Sequence, residues 1–74
     1  MSWNYRVVQF DTADGEKWYE VKEVFYDKDG TPVGYCDATV GSETFAGIIE
    51  VLDRMLKDSH KAVLKDSDFG GYNE

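Results

Sequence analysis

The segment KWYEVKEVFYD, residues 17–27, alternates apolar and polar side chains along its length. Its odd positions include Tyr19, Val21 and Phe25, and polar residues such as Glu20 stand between them. Alternation with a period of two over so many residues is typical of a β-strand that is buried on one face. The segment therefore predicts a strand whose odd positions face the interior.

Turn sequences flank this strand on both sides. Residues 12–15 read Thr-Ala-Asp-Gly and residues 27–30 read Asp-Lys-Asp-Gly. Both are typical of hairpin turns, because glycine accepts a positive φ and aspartate bonds its own backbone. Aromatic and β-branched residues precede the first turn, and a second apolar run follows Pro32. We expect a three-stranded antiparallel meander with strands at 3–11, 17–27 and 32–40.

One amphipathic helix is predicted behind the meander, at residues 43–58. Ser42 is the predicted N-cap, since a serine hydroxyl accepts hydrogen bonds from free N–H groups of the first turn. Apolar side chains then recur at the spacing of one helical face. They are Phe45, Ile48, Ile49, Leu52, Met55 and Leu56. We expect this stripe to pack on the sheet, so that Leu52→Ala costs roughly 2–5 kcal/mol. The predicted class is α+β, in the order β-β-β-α.

The chain of 74 residues has room for one domain, predicted at residues 1–69. Ala62 to Leu64 can add a short strand or lay apolar side chains on the sheet, and Phe69 can anchor what surrounds it. Residues 70–74 are rich in glycine and are predicted to form a flexible tail.

Composition restricts the partners and the location. The net charge of −7 argues against direct binding to nucleic acid or to an anionic membrane, because both reward a basic surface. No apolar run approaches the ~18 residues of a membrane span, and the N-terminus does not have the pattern of a signal peptide. One cysteine without such a signal fits a reducing compartment. The prediction is a cytoplasmic protein.

Two solitary residues could carry chemistry. Cys36 lacks a cationic neighbour in the sequence and lies on the face predicted to meet the helix, so we expect a buried and inert thiol. His60 follows the helix, where a histidine usually complements the negative end of the helix dipole. One Cys and one His make a poor transition-metal set.

The acidic and glycine-rich segments do not have the patterns of a calcium site, an acid–base site or a phosphate-binding loop. Residues 27–31 resemble the start of a calcium loop, but the twelfth position is Ala38 where a bidentate Glu is needed. The carboxylates of Asp66, Asp68 and Glu74 are expected on a flexible tail, where acid–base geometry is not held. The Gly70-Gly71 pair has no strand–helix context for phosphate. We predict no enzyme, no cofactor and no metal.

Apolar surface is the positive hint. Eleven aromatic residues are many for so short a chain, and both sides of the first two predicted strands are apolar. One helix covers only one side of a sheet, so either the tail or a partner chain covers the other. The helix flank at Ala46, Gly47 and Val51 also lacks charge. The candidate interface residues are Trp3, Tyr5, Trp18, Tyr26, Ala46 and Val51.

Several segments carry a resemblance to known proteins. Five stretches resemble a group of small uncharacterised bacterial and phage-borne proteins: Trp3 to Val7, Glu23 to Gly30, Pro32 to Tyr35, Gly41 to Thr44 and Ala62 to Phe69. These begin with a Trp-Asn-Tyr-Arg-like strand and carry a Glu-Val-Tyr-Tyr-Asp-x-Asp-Gly hairpin. The resemblance implies no function. The chain departs from that pattern where Ala46, Gly47 and Val51 replace expected charges, which favours a partner against this flank.

The order β-β-β-α is also similar, more loosely, to HicB-type antitoxin domains. Two function classes follow. The first is a non-enzymatic protein-binding module that self-associates as a homodimer. The second is an antitoxin or a phage-type inhibitor of CRISPR effectors, which would occupy a basic nucleic-acid-binding or nuclease surface by charge mimicry.

Overall fold

The computed structural model describes the backbone of residues 2–72 and the side chains of residues 2–69. Its elements are β1 (Ser2–Asp11), β2 (Lys17–Tyr26), β3 (Pro32–Asp37), α1 (Phe45–Asp58), β4 (Leu64–Lys65) and a 3₁₀ helix (Asp66–Tyr72). The predicted α+β class is confirmed. The predicted element order is incomplete, because two elements follow the helix.

The sheet has four strands in the order β3-β2-β1-β4. β1 pairs antiparallel with β2, with Val7 opposite Val21, and β2 pairs antiparallel with β3. β4 adds a short parallel pairing to the free edge of β1, where Leu64 lies opposite Val8. The antiparallel meander is thus present within a mixed sheet that the tail completes, but its third strand, predicted to run to residue 40, ends at Asp37.

Both predicted hairpin turns are confirmed. Gly15 has φ 84° and Gly30 has φ 81°, the left-handed conformation that glycine adopts without strain. In the second turn, the Asp27 carboxylate accepts hydrogen bonds from the backbone N–H groups of Asp29 at 2.9 Å and Thr31 at 3.0 Å. The Asp27 side chain therefore closes a β-turn, and the calcium-loop alternative has no support here.

The core lies on the sheet face that carries the even-numbered residues of β1 and β2. Val8 and Val24 are fully buried there, and Phe69 from the 3₁₀ helix covers them with 2% of its surface exposed. We call this side the core face and the opposite side the outer face. The expectation that the odd positions of β2 face the interior is wrong, because the even positions pack against Phe69.

One charged residue shares the core face with these apolar side chains. Lys22 is buried, and its ammonium nitrogen lies 2.5 Å from an Asp37 oxygen and 2.9 Å from a Glu20 oxygen. Hydrogen bonds to Asp37 and then to Glu20 raise the pKa of Lys22, so the buried amine keeps its charge. The same nitrogen lies 5.7 Å from the ring centres of Phe10 and Tyr35. The alternation of apolar and polar residues in β2 predicts that Lys22 faces solvent. Its two carboxylate partners and the two aromatic rings instead allow it to be buried.

Polar contacts hold the chain after α1 against the core face. The Tyr35 hydroxyl donates to Asp66 at 2.6 Å, and Asp68 accepts from the Lys65 backbone N–H at 2.8 Å. The Arg6 guanidinium donates to the Ala62 carbonyl oxygen. The expectation that Asp66 and Asp68 lie on a flexible tail is therefore wrong, since both carboxylates are bound in the fold.

The last residues complete this segment. The 3₁₀ helix includes the backbone of Gly70 to Tyr72. The flexibility predicted for residues 70–74 stays a prediction, and Asn73 and Glu74, the latter also named among the tail carboxylates, lie outside the described residues.

The contact between Phe69 and the sheet can be tested by truncation. We expect Phe69→Ala to lower the free energy of unfolding by about 3–5 kcal/mol, because it empties the space over Val8 and Val24. Urea denaturation followed by tryptophan fluorescence measures the change. Val63→Ala is the control, since Val63 lies in the same segment but is 48% exposed, and its cost stays below about 1 kcal/mol. Equal costs for the two variants would contradict this account of the core.

Candidate interaction surface

The start of α1 is set by Thr44, one residue before the first helical turn. Its hydroxyl oxygen accepts a hydrogen bond from the Gly47 N–H at 3.0 Å, which is the geometry of an N-cap. Ser42, the predicted N-cap, instead accepts a hydrogen bond from the Thr44 backbone N–H at 3.3 Å and so helps to hold Thr44 in the N-cap position. The helix therefore begins at Phe45, two residues later than predicted.

Gly47 is required by this cap. A Cβ atom at position 47 would collide with the Ser42 hydroxyl oxygen and would lie 2.7 Å from the Ser42 Cβ and 3.1 Å from the Thr44 hydroxyl oxygen. Carbon atoms do not approach this closely without a shift of the backbone. A glycine that lowers helix propensity by about 1 kcal/mol relative to alanine thus allows the chain before α1 to fold against the first turn.

Asp58 attaches the other end of α1 to the sheet. One carboxylate oxygen accepts from the Tyr5 backbone N–H at 3.2 Å, and the other accepts from Lys61 at 2.7 Å. Lys61, and to a smaller extent the Tyr5 N–H, lowers the pKa of the Asp58 carboxyl. The Tyr5 N–H lies on the edge of β1 beyond the end of β4, so Asp58 satisfies a donor that lacks a strand partner.

α1 packs beside β1 on the outer face. The Arg54 guanidinium lies 5.4 Å from the centre of the Trp3 ring, and Trp3 stacks edge-on against the buried Tyr5 at 5.2 Å. Among the strands, α1 makes substantial contact with β1 alone, so it leaves the outer face of β2 and β3 uncovered. The helix residues that are half-buried lie on one flank and include Ile48, Val51 and Met55.

The rest of the predicted stripe is exposed. Phe45 is 81% exposed, Leu56 62%, Ile49 51% and Leu52 47%, and none of the residues of α1 is fully buried. We call these four residues the exposed stripe. The expectation that the whole stripe packs on the sheet is wrong, because the helix is rotated so that the flank with Ile48 and Met55 is half-buried and these four residues face water. The loss of roughly 2–5 kcal/mol predicted for Leu52→Ala assumed a buried leucine, and Leu52 is 47% exposed.

The structure separates the six interface residues expected from the sequence. Trp3 and Tyr5 lie together on β1 where α1 meets it, and Tyr5 is buried there, while Val51 is half-buried on α1. Ala46 is exposed beside the stripe.

The other two lie elsewhere. Trp18 is 57% exposed near the first hairpin, and its indole N–H donates to Glu20 at 2.8 Å. Tyr26 lies on the core face, where its hydroxyl donates to Asn4 and accepts from Arg6. The exposure of the stripe was not expected, because its spacing is also that of a core-facing helix.

Cys36 is exposed, and the expectation that it is buried is wrong. Cys36 lies on β3, which is separated from β1 by β2. A helix that packs on β1 therefore does not cover it. Desolvation, and after it the negative charge of Glu23, raises the pKa of the Cys36 thiol. A raised pKa leaves little thiolate at neutral pH, which disfavours nucleophilic chemistry. Its inertness stays a prediction.

Other features provide little for catalysis. Within the described residues, no group of three His, Cys, Asp or Glu side chains is arranged to hold a metal ion. A shallow polar depression lined by Gln9, Asp11, Lys65, Asp66 and Ser67 is open to solvent. His60 is exposed just after α1. No helix in the described part of the chain is long and apolar enough to cross a membrane.

Comparisons with known proteins do not add a relative. No protein-family model, curated protein or solved structure matches this chain. The exposed stripe and the acidic charge are therefore weighed on their physical properties alone.

The role of Gly47 leads to a double-mutant test. Gly47→Ala normally stabilises a helix interior by about 1 kcal/mol. Here we expect no gain or a loss, because the added methyl group meets the Ser42 side chain. In a Ser42→Gly background we expect the same substitution to be less unfavourable, since the Ser42 atoms are gone and only the Thr44 hydroxyl oxygen, at 3.1 Å, remains close to the added carbon. Thermal unfolding followed by circular dichroism compares the four proteins, and a gain of equal size in both backgrounds would contradict the proposed contact.

The attachment of α1 at Asp58 predicts a pH dependence. Because the folded pKa of Asp58 is lowered, its contribution to stability is present above the unfolded value of about 3.9 and is lost as pH falls through the folded pKa. Asp58→Asn is therefore less stable than wild type near neutral pH, and the difference disappears in acid. Urea denaturation at a series of pH values measures it. Lys22 lowers the pKa values of two other carboxyl groups, Glu20 and Asp37. Their contributions to stability are the same in both proteins and cancel in the difference.

The matched control for this experiment is Asp53→Asn. Asp53 lies on the same helix in an exposed pair with Lys57 at 3.1 Å, and exposed pairs contribute little. A pH-independent difference between wild type and Asp58→Asn would show that the carboxylate charge does not hold the helix to β1.

Proposed function

We propose that this chain is a non-enzymatic protein-binding module and that the exposed stripe of α1 is its binding surface. The observation that carries the proposal is that Phe45, Ile49, Leu52 and Leu56 all lie on one side of a helix with about half or more of their surface in water. Large apolar side chains grouped in this way amount to several hundred Å², the size of the largest patches on monomeric proteins, which are often functional.

The contacts at both ends of α1 support this proposal, because they keep the exposed stripe on an ordered helix. The helix is capped by Thr44 and attached through Asp58, so the stripe stands on an ordered element. A partner that binds it would not have to order the backbone first, which reduces the entropic cost of association. An amphipathic helix that presents such a stripe matches the helix-in-groove and helix-pair modes of recognition.

The second candidate, an antagonist that mimics nucleic-acid charge, depends on the acidic exterior. Carboxylates gather at the first hairpin and the C-terminal segment, as in Asp11, Asp14, Glu16 and Asp66. Several acidic groups already have partners within the fold. Glu20 and Asp37 form ion pairs with Lys22, and Asp66 accepts a hydrogen bond from the Tyr35 hydroxyl. The net charge of −7 also serves solubility, so we favour the apolar surface.

Crosslinking in the producing cells distinguishes the two. We expect wild-type protein to form crosslinked complexes that are lost in Leu52→Glu and Leu56→Glu and retained in Asp14→Asn with Glu16→Gln. Binding by the purified components survives high salt, because apolar contacts are insensitive to screening, whereas charge mimicry weakens steeply. Loss of complexes in the hairpin variant together with steep salt sensitivity would favour the antagonist and refute the apolar module.

A further inference from the structure

We infer that the partner of the exposed stripe is a second copy of this chain, with the two α1 helices paired antiparallel. This inference rests on the proposed function and identifies the occupant of that surface. Four observations favour it: the surface area of the chain, the spacing of the stripe, the distribution of charge along the helix and the near-neutral charge of the helix within an acidic protein.

The chain exposes more surface than a closed monomer of its size. Its accessible surface is 5404 Å². A folded monomer of 8.4 kDa exposes roughly 4,600 Å². The excess, about 800 Å² over the whole chain, is of the same order as what each partner buries in a stable protein interface of standard size. The core is small accordingly, since only Val8 and Val24 are fully buried. Small domains without a disulfide or a metal gain stability by oligomerisation, and a single cysteine excludes an internal disulfide.

The spacing of the exposed stripe fits a helix pair. Phe45, Ile49, Leu52 and Leu56 follow one another at intervals of four, three and four residues. Alternation of three and four is the spacing of the seam between two helices in a coiled coil. In an antiparallel pair about a two-fold axis between residues 50 and 51, Phe45 faces Leu56 of the other copy and Ile49 faces Leu52. Each side chain thus meets an apolar neighbour, which a self-complementary interface requires.

The charges favour the antiparallel orientation. Residues 41–50 carry Glu43 and Glu50 and no basic residue, a net charge of −2. Residues 51–61 carry Arg54, Lys57 and Lys61 against two aspartates, a net charge of +1. Antiparallel pairing places the acidic half of each helix beside the basic half of the other, and it opposes the two helix dipoles. Parallel pairing would place the two acidic halves together.

The helix is also the part of this acidic protein best suited to meet its own copy. Phe45–Asp58 carries three acidic and two basic residues, a net charge of −1, whereas the whole chain carries −7. Six of the seven excess negative charges therefore lie outside the helix. Repulsion between the remaining surfaces still opposes association, so we expect the dimer to tighten as salt rises.

Sedimentation equilibrium from low to high micromolar concentration tests the inference. We expect a dimer for wild type, with a melting temperature that rises with protein concentration. Leu52→Glu and Leu56→Glu each weaken the dimer by roughly 30-fold or more, because a charge enters the apolar seam. The matched control is Val63→Glu, which adds the same charge at a residue as exposed as Leu52, 48% against 47%, but outside the stripe. It remains dimeric.

Each other result overturns the inference. If wild type stays monomeric at high micromolar concentration, or if both stripe variants stay dimeric, a second copy does not occupy the stripe. The proposed function then stands if the same variants still lose their cellular complexes, and falls if they do not. If Leu52→Glu is unfolded by circular dichroism at every concentration and the wild-type melting temperature is independent of concentration, the stripe belongs to a monomer core.

Orientation is tested by disulfide trapping in a Cys36→Ser background. Antiparallel pairing predicts that a mixture of Phe45→Cys and Leu56→Cys proteins forms the mixed disulfide under mild oxidation, while Phe45→Cys alone does not crosslink efficiently. Efficient crosslinking of Phe45→Cys to itself would show a parallel pair and refute the antiparallel arrangement.

Discussion

The burial of Phe69 against Val8 and Val24 is the contact on which the other elements depend. The aromatic ring closes the core face of the sheet, and the chain that carries it brings Leu64 beside Val8 as the fourth strand. Tyr35 and Arg6 then find partners in the same segment. A short tail, with little secondary structure of its own, thereby does what a helix does in many small α+β domains.

This use of the tail determines the place of α1. With the core face already covered, the helix packs on the outer face, where Arg54 lies over the Trp3 ring and Asp58 binds the Tyr5 N–H of β1. A helix that packs on β1 alone half-buries one flank and leaves the adjacent stripe in water. Four of the exposed large apolar side chains thus lie side by side on α1, while others, such as Trp18 and Tyr19, are exposed on the strands. The proposed self-association would bury that surface without moving any element of the fold.

Two local features that look unfavourable in isolation become intelligible in this arrangement. Gly47 weakens a helix, yet it gives Ser42 and Thr44 the room to cap that helix. Lys22 is a charge on the core face, yet Asp37 and Glu20 neutralise it and two aromatic rings face its nitrogen. A buried charge with both partners present is far less costly than one whose partner is removed.

Local structure follows from the sequence alone: two hairpin turns at Asp-Gly pairs, three antiparallel strands and one helix that ends at Asp58. These follow from short-range rules of turn chemistry and periodicity. Long-range contacts set which face each element buries. The first two strands are apolar on both sides, so alternation does not select the core face, and the contact with Phe69 does. The helix stripe has the spacing of a core face and of a helix-pair seam alike, and the orientation of α1 on β1 decides between them. Cys36 is exposed for the same reason, since its environment depends on how far the helix reaches across the sheet.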